Sequence, residues 1–114
     1  MKVRVMVESP FKAQEFTAKV LDRYARRCMK DSLDRGESPF MSHMLYPKRT
    51  GGVLDDNDPE EREQGLDGHN NWLKVSQLVA VYIDYNISAG MEDAMDRASK
   101  FTIPVKVRRI GRNP

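Results

Sequence analysis

The sequence predicts one α/β domain built on a right-handed parallel sheet of about four strands, with helices on both faces. Three observations carry this. Strand-like and helix-like periodicities alternate along the whole chain. Residues 78–83 (LVAVYI) form an unbroken apolar run, the mark of a central strand covered on both faces. The length of 114 residues suits one domain, so residues 1–114 are read as a single unit.

The elements follow in order. Val3, Val5 and Val7 alternate with Lys2, Arg4 and Met6, a strand pattern that Ser9-Pro10 breaks. From Phe11 to about Arg35 the period becomes helical, with Ala13, Phe16, Val20 and Tyr24 on one stripe and Leu21, Ala25 and Cys28 beside it. Gly36 is placed to end that helix. Residues 39–45 read as a second strand, followed by a polar loop to Asn57 of a length that tends to be functional. Asp58-Pro59-Glu60-Glu61 is a helix start, with Asp58 as cap, Pro59 in the first turn and Glu61 placed to close a capping box. That helix should reach Lys74, weakened by Gly65 and Gly68. After the apolar strand, Met91, Ala94, Met95, Ala98 and Phe101 fall at helical spacing, and residues 103–110 make a last strand at a sheet edge, with Pro104 near its start. Trp72 and the methionines are expected in the core.

Composition narrows the function classes. Hydrophobic residues make up 39% and charged residues 32%, and the formal net charge is +2. Acids and bases are interspersed, which gives no ground for a nucleic-acid or acidic-membrane partner. Lys106, Arg108, Arg109 and Arg112 form a basic tail, read as the solubilising end of an edge strand or as a phosphate contact. The single cysteine, Cys28, lies among apolar neighbours and reads as a buried structural thiol in a reducing compartment. No stretch has the order of a signal peptide, and none approaches the ~20 apolar residues of a membrane helix. A cytoplasmic, soluble protein is the expectation.

In open α/β sheets ligands bind beyond the carboxyl ends of the strands. Here those ends carry Glu8-Ser9-Pro10-Phe11, His43 with Tyr46, and Asp84-Tyr85-Asn86 followed by Ser88-Ala89-Gly90. Ser88 is either a helix cap or, with Gly90 and the amides around it, a holder of phosphate or sugar hydroxyl. His43 is a ligand contact if it faces the crevice and a packed or solvated residue otherwise. The acids Asp55, Asp56 and Asp58 lack the glycine and distal glutamate of an EF-hand, so no metal and no cofactor is assigned. Asp56 and Asp58 are placed instead as contacts to a sugar or base.

The strand ending in Ser9-Pro10-Phe11, the stretch LDDNDPEERE over residues 54–63, the strand LVAVYID, the segment SAGME over residues 88–92 and the Pro104-Val105 strand together resemble the nucleoside 2-deoxyribosyltransferase-like superfamily, most of all its small phage-type and bacterial members. The resemblance runs from the first strand to the last. It implies a flavodoxin-like (Rossmann-like) sheet, a homodimer, a nucleoside or nucleotide ligand, and cleavage or transfer at the N-glycosidic bond. It also implies a glutamate nucleophile on the helix after the last loop and a second carboxylate on the preceding helix. Registered on Gly-Met-Glu, the nucleophile is Glu92; registered on Gly90 and Pro104, the position holds Ala94 and the nucleophile is absent. Glu92 serves equally as a first-turn acid on the helix dipole. The second position falls on His69, with Asp67 nearby, and His69 could act as acid or base near neutral pH. Ser9, Pro10, Phe11, His43, Asp56, Asp58, Ser88, Gly90 and Met91 complete the expected ligand contacts. A scaffold that captures a nucleotide without turning it over is the alternative.

Overall fold

The computed structural model describes residues 2–112. Four strands, β1 (Arg4–Glu8), β2 (Ser38–Phe40), β3 (Leu78–Tyr82) and β4 (Val105–Arg108), make one parallel sheet in the order β2-β1-β3-β4. Helices α1 (Ala18–Asp34), α2 (Pro59–Lys74) and α3 (Ala89–Lys100) connect them. Strand side chains alternate between faces, and the two faces bury different helices. Val5, Val7, Ala80 and Tyr82 pack with Leu21, Tyr24, Ala25 and Cys28 of α1. Met6, Val79 and Val81 pack with Leu73 of α2 and Met91 and Ala98 of α3. Every residue of β3 is buried, as its unbroken apolar run requires.

Several boundaries differ from those the sequence predicts. Helix α1 starts at Ala18, not Phe11, because the Thr17 side chain accepts the Val20 amide at 3.2 Å and caps the helix there. Residues 11–16 are drawn off by their own contacts: Phe11 stacks on His43, Lys12 pairs with Asp56, and Phe16 meets the edge of the Tyr85 ring. Strand β2 is only three residues long, because Pro39 contributes no N–H and the chain turns into a 3-10 segment at Ser42–Met44. The polar loop contains a second 3-10 turn, Lys48–Thr50, and a Pro47–Leu54 bridge. Glu61 closes no capping box with Asp58; its carboxylate accepts the Asp55 amide at 3.3 Å.

Trp72 is 50% exposed and stacks on Phe40 outside the core, a correction to its expected burial. Gly68 has a packing purpose: a Cβ there would lie 3.0 Å from the Tyr46 ring, so glycine lets the 46–54 loop rest on α2. Cys28 is fully buried, and burial pushes its thiol up to about 12. No helix of the described residues is long and apolar enough to cross a membrane.

The C-terminal segment is tied down rather than solvated. Arg108 is 7% exposed and makes a two-pronged contact with Glu37, at 2.8 and 2.7 Å, while also donating to the Tyr82 hydroxyl. Asp84, just past β3, accepts the amides of Ile110 (2.9 Å) and Gly111 (2.7 Å) and the Tyr24 hydroxyl (2.6 Å). Burial would raise the pKa of Asp84, but these donors outweigh it and hold the carboxyl below its ordinary range. The stabilisation is therefore present above about pH 4 and is lost as pH falls through the depressed folded value. Asp84→Asn is expected to cost about 1.5–3 kcal/mol at pH 7, read from urea denaturation. The cost should shrink toward pH 3, and an equal cost at both pH values would remove Asp84 as a charged anchor.

Candidate functional site

A cleft of about 370 Å³ opens at the carboxyl ends of β1 and β3, within the size range of small-molecule sites. Its walls come from the segment after β1, the 42–47 turn, α2 and the start of α3. Two further hollows lie nearby, of about 250 Å³ beside Pro10 and Tyr85 and about 460 Å³ beside Phe11 and Phe16. Neither is lined by a buried ionisable pair, so the first cleft is the candidate site.

At its centre are Glu8, the last residue of β1, and His69 from α2. Both are 8% exposed, and His69 Nε2 lies 2.8 Å from Glu8 Oε2. Burial alone would favour a neutral ring at His69, but the hydrogen bond to Glu8 and its charge outweigh that, so the pKa is raised. Nε2–H donates to the Glu8 carboxylate in this poorly hydrated place. Nδ1 of His69 and Oδ1 of Asn70 are both buried without a hydrogen bond of adequate geometry, although the Asn70 side chain lies close enough to favour the protonated ring. No described residue bonds Oε1 of Glu8, which leaves that oxygen for chemistry in the cleft it lines.

The second histidine has the opposite character. His43 sits on the 3-10 turn, where protein atoms enclose it and burial takes its pKa down to about 4. It is neutral at pH 7, 3.4 Å from Ser9 Oγ through Nε2, and stacked on Phe11 with 5.1 Å between centroids. The Arg49 guanidinium lies 3.5 Å from the Phe11 centroid, and two hydrogen bonds to Asp22 fix it there. The result is a flat, largely uncharged wall suited to a planar ring.

At the opposite side α3 begins. Ser88 caps it, accepting the Met91 amide at 3.3 Å, while its own amide points to the Met91 sulfur at 3.4 Å. Gly90 leaves the first turn open, since a Cβ there would meet nothing closer than Ser88 Oγ at 3.9 Å.

Of the residues the sequence singles out, Ser9, Phe11, His43, Asp56, His69, Ser88, Gly90 and Met91 line this one cleft. Four do not. Pro10 is buried beside the neighbouring hollow. Asp58 is spent as the α2 cap, accepting the Glu60 amide at 3.1 Å. Asp67 and Glu92 are exposed and outside the cleft lining. For Glu92 the reason is rotational: Met91, Ala94 and Ala98 form the buried stripe of α3, and one residue on from Met91 is about 100° around the helix, toward solvent. Each acid of the 55–58 loop has a local partner, Asn57 N–H for Asp55, Lys12 for Asp56 and Glu60 N–H for Asp58. Among the described residues no three potential ligands gather as a metal cage. Sequence reasoning placed Glu8 and Tyr46 at strand ends without giving them a role, and missed Arg62, Asp93 and Arg97. The one available signal was a carboxylate ending an otherwise apolar strand.

The histidines should separate in a ring-proton NMR titration, with His43 titrating near pH 4 and His69 above 6.5. Because the folded pKa of His69 is raised, its contribution to stability is fully present below about 6.5 and is lost as pH rises through the folded value. His43 acts with the opposite sign, its contribution fading as pH falls from about 6.5 to 4. Glu8→Gln should bring the His69 pKa down; an unmoved value would mean that Glu8 does not hold the proton.

Among solved structures, a 2-deoxyribosyltransferase from the psychrotolerant bacterium Bacillus psychrosaccharolyticus superposes on this chain with a TM-score of 0.69 and 13% identity. The match covers 97% of this chain and 75% of that one. At such identity the likeness is one of fold, and it agrees with the doubly covered parallel sheet described above. No curated protein matches the sequence. A family model described as a domain of unknown function, DUF7768, matches residues 3–108, and the chain belongs to that family.

Proposed function

We propose that the cleft binds a nucleoside or nucleotide and that the protein acts on its N-glycosidic bond, with Glu8 as the carboxylate facing the sugar. The Glu8–His69 pair carries this reading. A buried carboxylate held by a histidine hydrogen bond, with one oxygen uncommitted, suits an oxocarbenium-like transition state on one face. The neighbouring fold of a 2-deoxyribosyltransferase supports a nucleoside-related ligand, and the flat His43–Phe11 wall suits its base.

In the reaction, Glu8 Oε1 bonds to the anomeric carbon as the bond to the base breaks. The electron pair of that bond leaves with the base, which takes a proton from solvent. Water, or the base of a second nucleoside, then displaces Glu8 from the sugar and restores the carboxylate. His69 is a positioning residue throughout: it fixes Oε2 and leaves Oε1 directed to the substrate.

A second reading has its own observation. The helix position that carries the family's nucleophile in one register is Ala94, fully inside the core, and Glu92 is outside the cleft. A protein without that carboxylate would capture its ligand intact.

Glu8→Gln should abolish base release while leaving ligand affinity within about tenfold, roughly 1.4 kcal/mol. Glu92→Gln should leave both unchanged. The measurement is a thermal-shift screen over nucleosides and nucleotides, with free base assayed wherever a shift occurs. Binding with no base release by the wild type would establish capture, and full turnover by Glu8→Gln would take Glu8 out of the mechanism.

A further inference from the structure

The charged side chains lining the cleft do not all cancel. Glu8 is matched by His69, and Asp56 by Lys12. Arg62 on α2 and Arg97 and Asp93 on α3 remain. Among the described residues neither arginine has an ion pair or a hydrogen-bond acceptor, and Asp93 forms no ion pair with Arg97 one turn away.

Arg97 is the more telling of the two. Its Nε is buried with no acceptor, a position that costs free energy unless something fills it. Other arginines in contact with the protein behave differently. Arg4, Arg35, Arg49, Arg108 and Arg112 each donate to a carbonyl or a carboxylate, and Arg27, whose Nη1 is also buried without a partner, still donates through Nη2. Arg97 lines the same cleft as Glu8 and His69. At the start of the same helix, the first turn of α3 offers amides around Gly90, where no side chain comes closer than Ser88 Oγ.

We infer that the ligand carries a phosphate monoester and that Arg97, assisted by Arg62, reads it, so that the protein takes nucleotides in preference to nucleosides. This rests on the nucleoside-or-nucleotide reading of the cleft and adds the anionic group to it. A guanidinium fork presents paired donors to two phosphate oxygens, and a second cation with open helix amides suits the remaining oxygen and the second charge.

The test is calorimetric titration of the full chain with deoxynucleoside 5′-monophosphates, the matching nucleosides and inorganic phosphate. The wild type should bind at least one nucleotide tenfold or more tighter than its nucleoside. Arg97→Gln should lose most of that preference while holding nucleoside affinity within about twofold, and Arg97→Lys should keep part of it. Arg62→Gln, on the exposed side of α2, should weaken the preference severalfold and serves as the variant of record if Arg97→Gln fails to fold. Equal binding of nucleoside and nucleotide by the wild type would overturn the inference and leave the proposed function standing. So would an undiminished preference in both variants. Phosphate bound by the wild type but not by Arg97→Gln, with no nucleoside bound, would keep the anion subsite and remove the nucleoside reading. No binding of any of the three would overturn both.

Discussion

A carboxylate buried at the end of a central strand needs a hydrogen-bond partner, and much of this molecule is arranged around supplying one. Glu8 is paired on one side with β3 through Val81 and is almost closed off from water. Burying such a group without a partner costs several kcal/mol. His69 supplies the compensation from α2, 61 residues away. The same contact helps hold α2, whose buried side chains are only His69 and Leu73. A helix with so little apolar burial depends on its polar anchor, so the group that poises the cleft also fixes one of its walls.

A second polar system does comparable work on the α1 face, without any opening to a cleft. Asp84 gathers Tyr24 and the amides of residues 110 and 111, and Arg108 joins Glu37 to Tyr82, which in turn donates to Asp31. There the carboxylates and Arg108 are matched, Arg27 Nη1 being the buried donor left over, and the arrangement closes the C-terminal segment over the edge of the sheet. The contrast with the cleft is informative. On the closed side charges are matched; on the open side Oε1 of Glu8 and the guanidinium of Arg97 are left over. Unmatched polar groups near a concave surface are where a ligand is to be sought.

The sheet was legible because it is written in short-range terms. The uninterrupted β3 run, the Ser88 cap before the Met91–Ala94–Ala98 stripe, and Asp58-Pro59 ahead of α2 are all local, and each appears where the sequence predicts it. What was not legible depends on contacts far apart in the chain. Residues 11–16 have helical spacing, yet Phe11, Lys12 and Phe16 each gain more from His43, Asp56 and Tyr85 than from another turn of helix. Trp72 has the size of a core residue, but its partner Phe40 lies on the short edge strand. Glu8 shows locally only as a carboxylate ending an apolar strand, and its meaning comes from His69. The candidate cleft thus lies at the strand ends the sequence singles out, while its central pair was only half visible.

The geometry of α3 gives a reason for the carboxylate to sit on β1. Residues 91, 94 and 98 form one stripe against β3 and β4, and all three are buried to within 1%. A glutamate at position 94, where the alanine is buried, would have to bury its charge or unseat the helix to avoid doing so. Alanine there removes the conflict and lets α3 lie close to the sheet. Position 92 offers no substitute, since the helix turns it to solvent. The end of β1 is different: it opens on the cleft, it faces a helix that supplies a hydrogen-bond donor, and its backbone is held in register beside β3 through Val81. A carboxylate on a paired strand end is held more firmly than one on an exposed helix turn. If this scaffold is to place a negative charge against a sugar, the end of β1 is the position its packing permits.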